Sequence, residues 1–210
     1  MTQRSALLLG STGLTGGILL DLLLASPEYT KVIIYVRKPT GLNHPKLKEQ
    51  IINYESIDSA VSADDVFCCL GTTIKIAKTK EAFEKVDLDY PLKIASLQHK
   101  AGSKQFLVVS AMGANATSSI FYSRTKGLME KGLTEIGFES LYIFRPSFIV
   151  GDRKEERMGE KIGIIISAIL SPLMIGPLKK YKPVKAADIA LNMIKYALKN
   201  EKGKQVIINN

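Results

Sequence analysis

Tyr122 and Lys126 stand four residues apart in the stretch Ser119–Gly137, whose apolar period is helical, so the two share one helix face. A phenol with an ordinary pKa of about 10 is a weak base at neutral pH. Bringing it to about 7 takes roughly 4 kcal/mol of preference for the phenolate. One ammonium at about 4 Å, in surroundings of effective dielectric near ~20, supplies a gain of that size before desolvation is subtracted. The pair therefore reads as a proton-transfer device in which the tyrosine moves the proton and the lysine lowers its pKa. Ser110 follows the apolar run Phe106–Val109 and is placed to hydrogen-bond a carbonyl or alcohol beside the tyrosine. A Tyr-xxx-Lys match alone means little; its weight comes from the elements that precede it.

The first of these is Ser5–Leu24, an apolar run that breaks at Gly10, Gly13 and Gly16 and then resumes with helical character. Strand, tight turn and helix in that order form the opening of a dinucleotide-binding βαβ unit. Gly10 lets the chain turn at the strand end, Gly13 lets backbone approach a pyrophosphate, and Gly16 lets the helix pack on the strand. The helix N-terminus then offers unpaired N–H groups and a partial positive charge to phosphates. The spacing is GxxGxxG, where the common dehydrogenase fingerprint is GxGxxG.

A second apolar run, Lys31–Val36, ends in Arg37-Lys38-Pro39, and no Asp or Glu lies between Lys31 and Lys48. In this fold the end of the second strand reads the adenosine ribose. A carboxylate there grips the 2′-hydroxyl of NAD, and an arginine accepts the 2′-phosphate of NADP. Arg37 with Lys38 points to NADP(H).

The rest of the chain alternates in the same way. Strands are expected at Gln50–Tyr54, Val66–Leu70, Phe106–Val109, Leu141–Phe144 and Gln205–Ile208. Helices are expected at Val86–Ala101, capped by Asp87 or Asp89 with Pro91 in the first turn, at Ser119–Gly137 and at Ala186–Leu198. Lys75–Lys80 reads as an exposed basic loop. Repeated strand–helix alternation predicts an α/β fold with a doubly wound parallel sheet. Leu70-Gly71-Thr72-Thr73 then falls at a strand's C-terminal end, where such sheets bind ligands.

At 210 residues the chain is expected to form one domain, with 151–185 as a short substrate-side insertion. That insertion carries Arg153, Lys154, Arg157 and Lys161, the apolar stretch Ile162–Ile175, then Lys179, Lys180 and Lys182. The apolar stretch is too short for a membrane span and reads as a pocket wall, a homodimer contact or a membrane-surface helix. A net charge of +9 suits a phosphorylated cofactor and an anionic small-molecule substrate, although most of it is a solvated lysine surface. The lysines are scattered and do not interleave with aromatics, which argues against nucleic acid. Cys68 and Cys69 would point to opposite faces of a strand as buried thiols. With no secretory signal ahead of the glycine turn, a cytoplasmic protein is the expectation. His44 and His99 fall in surface stretches, and no Cys/His/Asp cluster suggests a metal.

GSTGLTGG, VRKP, CLGTT, VVSAMGA, YSRTK and RPSFIVGDR, in this order, resemble the atypical short-chain dehydrogenase/reductases. Within them the chain is most similar to the Tat-interacting-protein-like branch, related to nucleoside-diphosphate-sugar epimerases. The resemblance spans nearly the whole chain. It implies a Rossmann fold and a catalytic set of Ser110, Tyr122 and Lys126. NADP(H) would lie along Gly10, Ser11, Thr12, Gly13, Leu14, Thr15 and Gly16, with Arg37 and Lys38 at its ribose. Leu70, Gly71, Thr72, Tyr122 and Lys126 would complete the cofactor site, and Pro146 and Phe148 would line the nicotinamide side. Two departures stand out: the NNAG asparagine of the common enzymes has no counterpart, and the substrate region is shorter than in sugar-nucleotide epimerases. The leading expectation is an NADP(H)-dependent oxidoreductase on a small carbonyl or alcohol. An NADPH-binding regulator with little turnover and an epimerase-like enzyme are the alternatives.

Overall fold

The computed structural model describes residues 3–151 and 182–208. Seven strands form one parallel sheet: β1 (Arg4–Leu9), β2 (Tyr29–Val36), β3 (Leu47–Ile51), β4 (Asp65–Cys68), β5 (Gln105–Val109), β6 (Ser140–Arg145) and, last in the chain, β9 (Gly203–Ile208). Their order is β3-β2-β1-β4-β5-β6-β9, so the direction of winding reverses between β1 and β4. Ligands in open α/β sheets bind at that reversal, beyond the carboxyl ends of the strands.

Both sheet faces are covered, which explains why the strands are near-continuous apolar runs rather than alternating ones. Leu8, Ile34, Phe67, Leu107 and Phe144 face one side, where Leu19 and Leu23 of α1 (Leu14–Ala25) and Ile189 and Met193 of a helix at Ala186–Lys199 pack on them. Leu7, Leu9, Ile33, Val66, Phe106 and Ile143 face the other, against Ile94, Met129 and Leu133. Neighbouring residues thus serve opposite layers, as the strand period of two requires. Cys68 and Cys69 follow the same rule, one in each layer, both as free thiols. Burial pushes the Cys68 thiol up to about 11, which keeps it protonated and inert.

Three expectations are corrected. The third strand is Leu47–Ile51, not Gln50–Tyr54, and it pairs with β2 from Val32↔Leu47 to Val36↔Ile51. It is a half-exposed edge strand carrying Lys48, Glu49 and Gln50, so it lacks an apolar signature. The Lys75–Lys80 stretch is not a loop throughout: α2 (Ile74–Ala77) is capped by Thr73, and α3 (Lys80–Glu84) by Thr79, whose hydroxyl accepts from the Ala82 N–H. The helix predicted at Val86 therefore starts earlier. Its middle, Lys85–Asp89, is a π turn, and α4 (Tyr90–Lys100) continues from it. The wider turn opens the backbone just ahead of Pro91, where an unbroken α-helix would meet the proline ring. Neither Asp87 nor Asp89 caps a helix.

α5 (Phe121–Ile136) and α6 (Ala186–Lys199) agree with the helices predicted there. Two short strands, β7 (Ile149–Val150) and β8 (Val184–Lys185), pair in parallel outside the main sheet. The apolar stretch Ile162–Ile175 and its flanking cations at Arg153, Lys154, Arg157, Lys161, Lys179 and Lys180 lie outside the described residues. Among the described residues no helix is long and apolar enough to cross a membrane.

Candidate active site

The turn after β1 is built as the glycine spacing demands. Gly10 sits at φ +80°, and a Cβ there would meet the Cys69 carbonyl oxygen at 2.6 Å. A Cβ on Gly16 would come within 2.1 Å of the Gly10 oxygen, so the first turn of α1 lies directly on the strand end. A Cβ on Gly13 would touch only the Gly10 oxygen, at 3.3 Å, and Thr12 and Gly13 are open to solvent. No side chain caps α1, and its first turn carries no acidic residue, so its leading N–H groups face that opening with the positive end of the helix dipole. Ser11 is buried, and its hydroxyl oxygen has no protein partner. A backbone cradle, an uncapped helix N-terminus and an orphaned hydroxyl together fit a dinucleotide pyrophosphate.

Arg37 and Lys38 follow β2 and are exposed. Neither makes a hydrogen bond or ion pair with the described residues, while the nearby Glu49 carboxylate accepts from the N–H and hydroxyl of Thr40. Glu55, the next carboxylate along, is held by Lys85 at 2.7 Å.

From the glycine turn a line of contacts runs to the tyrosine. Gly10 abuts Cys69 and Leu70 at the end of β4. Two residues on, the Thr72 N–H donates to Asp87 Oδ2 at 2.8 Å, and a Cβ on Gly71 would lie 3.5 Å from Asp87 Oδ1. Asp87 Oδ1 in turn meets Lys126 Nζ at 2.7 Å, with both side chains 5% exposed or less. Lys126 lies one helical turn from Tyr122 on α5. Gly127 is what lets α5 come so close: a Cβ there would be 2.1 Å from the Ala116 nitrogen. Phe83 of α3 closes the far side of Tyr122, with ring centroids 5.8 Å apart.

The electrostatics differ from the simple tyrosine–lysine expectation. Burial raises the Tyr122 phenol above its ordinary range; the Lys126 charge opposes this and the Asp87 charge adds to it. With 41% of Tyr122 exposed, solvent softens the burial effect but does not reverse it. Burial works against the Lys126 charge, yet Asp87 and Tyr122 outweigh it and raise the ammonium above its ordinary value. Lys126 is therefore a fixed cation, and Tyr122 holds its proton at neutral pH.

Ser110, expected to hydrogen-bond a substrate carbonyl or alcohol, has a protein partner of its own. It is buried, and its hydroxyl donates to Glu130 Oε1 at 2.5 Å. Glu130 lies one turn beyond Lys126 on α5 and is gripped by Arg145 at the end of β6 through Nε at 3.0 Å and Nη2 at 2.5 Å. The serine thus belongs to a polar clamp joining β5, α5 and β6. Pro146 is buried and Phe148 exposed, both just after β6.

Asp87 and Glu130 escape a motif reading, and so does the pairing of Glu130 with Arg145. Asp87 had a signal of its own: positions 87, 91, 94 and 98 recur on one helix face and all are buried, so a carboxylate among them needs a partner. No motif announces Glu130, and although Arg145 opens RPSFIVGDR, nothing in that motif names its partner, which comes from a different element.

Fold and site define the class: the chain has the Rossmann fold of NAD(P)-binding proteins and is of the atypical short-chain dehydrogenase/reductase type. More particularly, the chain belongs to the family of the rat protein HTATIP2 and the fungal FMP52 proteins. It is 35% identical to Protein HTATIP2 of Rattus norvegicus over 167 residues, covering 76% of this chain and 69% of the relative. It is 30% identical to Protein FMP52, mitochondrial, of Candida albicans over 211 residues, covering 95% of this chain and 90% of the relative. No family model matches. Among solved structures, MoeE5 in complex with UDP-glucose and NAD superposes with a TM-score of 0.72 at 16% identity, covering 97% of this chain and 75% of that one. The Bordetella bronchiseptica enzyme WbmH in complex with NAD+ gives 0.70 at 14% identity, covering 99% and 76%. These two share the fold. The cytoplasmic expectation does not stand, because the relatives from Candida albicans and Emericella nidulans are named as mitochondrial proteins.

Proposed function

We propose that the protein is an NADP(H)-dependent oxidoreductase acting on a small carbonyl or alcohol, with Tyr122 transferring the proton and Lys126 as its electrostatic partner. The observation that carries this reading is the continuous line from the glycine turn through Leu70–Thr72, Asp87 and Lys126 to Tyr122. It supports a reading in which Tyr122 is a proton donor beside the C-terminal edge of the sheet, next to a cradle that fits a dinucleotide. Gly10 to Gly16 and Ser11 would hold the pyrophosphate, Leu70, Gly71 and Thr72 the middle of the cofactor, and Lys126 its second ribose. Pro146 and Phe148 would flank the nicotinamide side. A bound reduced nicotinamide supplies hydride to a carbonyl carbon. As negative charge builds on the carbonyl oxygen, Tyr122 gives it the phenolic proton, and the tyrosinate left behind regains a proton from water. Lys126 stabilises that tyrosinate at close range. Ser110 acts at one remove by anchoring the clamp that holds α5 to β5 and β6.

A screen of aldehydes and ketones for NADPH oxidation by the purified protein tests the reaction. No oxidation with any carbonyl, alongside tight NADPH binding, would leave a cofactor-binding regulator in its place.

The cofactor preference rests on Arg37 and Lys38. A charged hydrogen bond to the 2′-phosphate is worth roughly 1.5–3 kcal/mol, so NADPH should bind about ten- to a hundredfold more tightly than NADH. In Arg37→Ala most of that difference should vanish through weaker NADPH binding, with NADH barely affected. Added salt should trim the wild-type preference, because the site is open to solvent. Calorimetric titration of both nucleotides reads this without a substrate, and a loss shared equally by the two would exclude Arg37 from phosphate recognition.

A further inference from the structure

We propose that Asp87 is a positioning residue of this site: its carboxylate locks the Lys126 ammonium, ties it to the loop after β4, and keeps Tyr122 a proton donor. The proposal rests on the oxidoreductase reading above.

The geometry is that of a clamp with two ends. Oδ1 meets Lys126 Nζ at 2.7 Å and Oδ2 accepts from the Thr72 N–H at 2.8 Å, so each oxygen has its own partner. Asp87 is 1% exposed, and burying a carboxylate and an ammonium together contributes little net stability. The pair is better understood by what it does to its neighbours. Asp87 reaches inward from the π turn Lys85–Asp89, where the wider spiral departs from the regular helix on either side.

The charged and titratable groups around the pair are few. From α5 come Lys126 itself and Tyr122, and from β4 comes the thiol of Cys68, which stays protonated. Tyr122 therefore feels one cation and one anion at short range. Alone, the buried ammonium would draw the phenol towards phenolate, leaving a base. With burial raising the phenol and Asp87 opposing the pull of Lys126, the phenol keeps its proton, leaving an acid. Asp87 also links cofactor loop to catalytic lysine, since Thr72 and Lys126 hold the same carboxylate.

The test follows the Tyr122 phenol itself, using the full-length protein labelled with 13Cζ-tyrosine and an NMR titration from pH 8 upward. The Tyr122 resonance is assigned by its loss in Tyr122→Phe. In Asp87→Asn, which keeps the acceptor for Thr72, the phenol midpoint should fall by at least one pH unit relative to wild type. An unchanged or higher midpoint would overturn the proposal. Should Asp87→Asn fail to fold, Lys126→Met carries the test: with Asp87 then unopposed, the midpoint should rise above wild type, and a fall or no change would refute the balance of fields. A purely structural aspartate would alter melting temperature without moving the phenol. The titration needs no substrate, so it stands apart from the carbonyl screen: a shifted phenol with no turnover refutes the reaction and keeps the role of Asp87, and the reverse refutes Asp87 alone.

Discussion

Tyr122→Phe should lower carbonyl-dependent NADPH oxidation by about a hundredfold or more, the loss expected when a positioned general acid is removed. NADPH affinity should stay within a few-fold, because the substitution removes one hydroxyl and leaves the glycine cradle, Arg37 and the Lys126–Asp87 pair intact. The ring stays packed on Phe83, so the effect should fall on the chemical step and not on folding. Single-turnover kinetics with saturating cofactor separate these contributions. The sign of the pH dependence follows from the phenol being raised above its ordinary value. Acting as an acid, Tyr122 is competent while protonated, so reduction should hold through neutral pH and decline only in the alkaline range, above the ordinary tyrosine pKa. A rate limb near pH 7 that disappears in Tyr122→Phe would mean that Lys126 activates the phenol as a base. Undiminished hydride transfer in the variant would remove Tyr122 from the mechanism.

Much of the architecture was legible because its strands are buried on both faces. Ala6–Leu9, Val32–Val36 and Phe106–Val109 are continuous apolar runs that need no tertiary context to be recognised. Gly10 and Gly16 were legible for a related reason: their backbone contacts leave no room for a side chain. The edge strand Leu47–Ile51 was not, since half-exposed polar residues can pair in a ladder while looking like a loop. The helix around Asp87 was misplaced because a π turn has no simple residue signature, and its aspartates resemble caps by type alone. The candidate site divides the same way. Tyr122 and Lys126 lie on one helix, and local spacing suffices to pair them. The partners of Lys126 and Ser110 come from other elements, so Asp87 and Glu130 emerge only when the chain is folded, as does the burial that, ahead of any charge, holds the Tyr122 phenol above its ordinary range.

The far end of the sheet holds the second large effect, which concerns stability alone. Asp65 opens β4, is fully buried, and satisfies three neighbours. Arg4 donates to both of its oxygens, at 2.8 and 2.5 Å, Tyr29 donates its hydroxyl at 2.6 Å, and Gln105 its amide at 2.5 Å. These residues come from β1, β2, β4 and β5, so one carboxylate joins four adjacent strands at their N-terminal ends. Asp65→Ala leaves a largely buried guanidinium uncompensated, the Tyr29 hydroxyl without its acceptor and the Gln105 amide short of one of its two, and should cost about 3–5 kcal/mol. For a protein of this size that corresponds to a fall in melting temperature on the order of 10 °C. NADPH binding should be unchanged in the folded fraction, because the cradle lies at the opposite end of the strands. Replacing the ion pair outright, as Arg4→Met with Asp65→Leu, removes the stranded charge but still leaves the Tyr29 hydroxyl without its acceptor and the Gln105 amide with only the Ala197 carbonyl. The double variant should therefore recover only part of the loss, unlike a simple buried pair, where an apolar exchange is close to neutral. Urea unfolding of the three proteins measures each step. A single-variant loss below about 1 kcal/mol would place Asp65 among the weak surface pairs, and full recovery in the double variant would show that Arg4 alone depends on it.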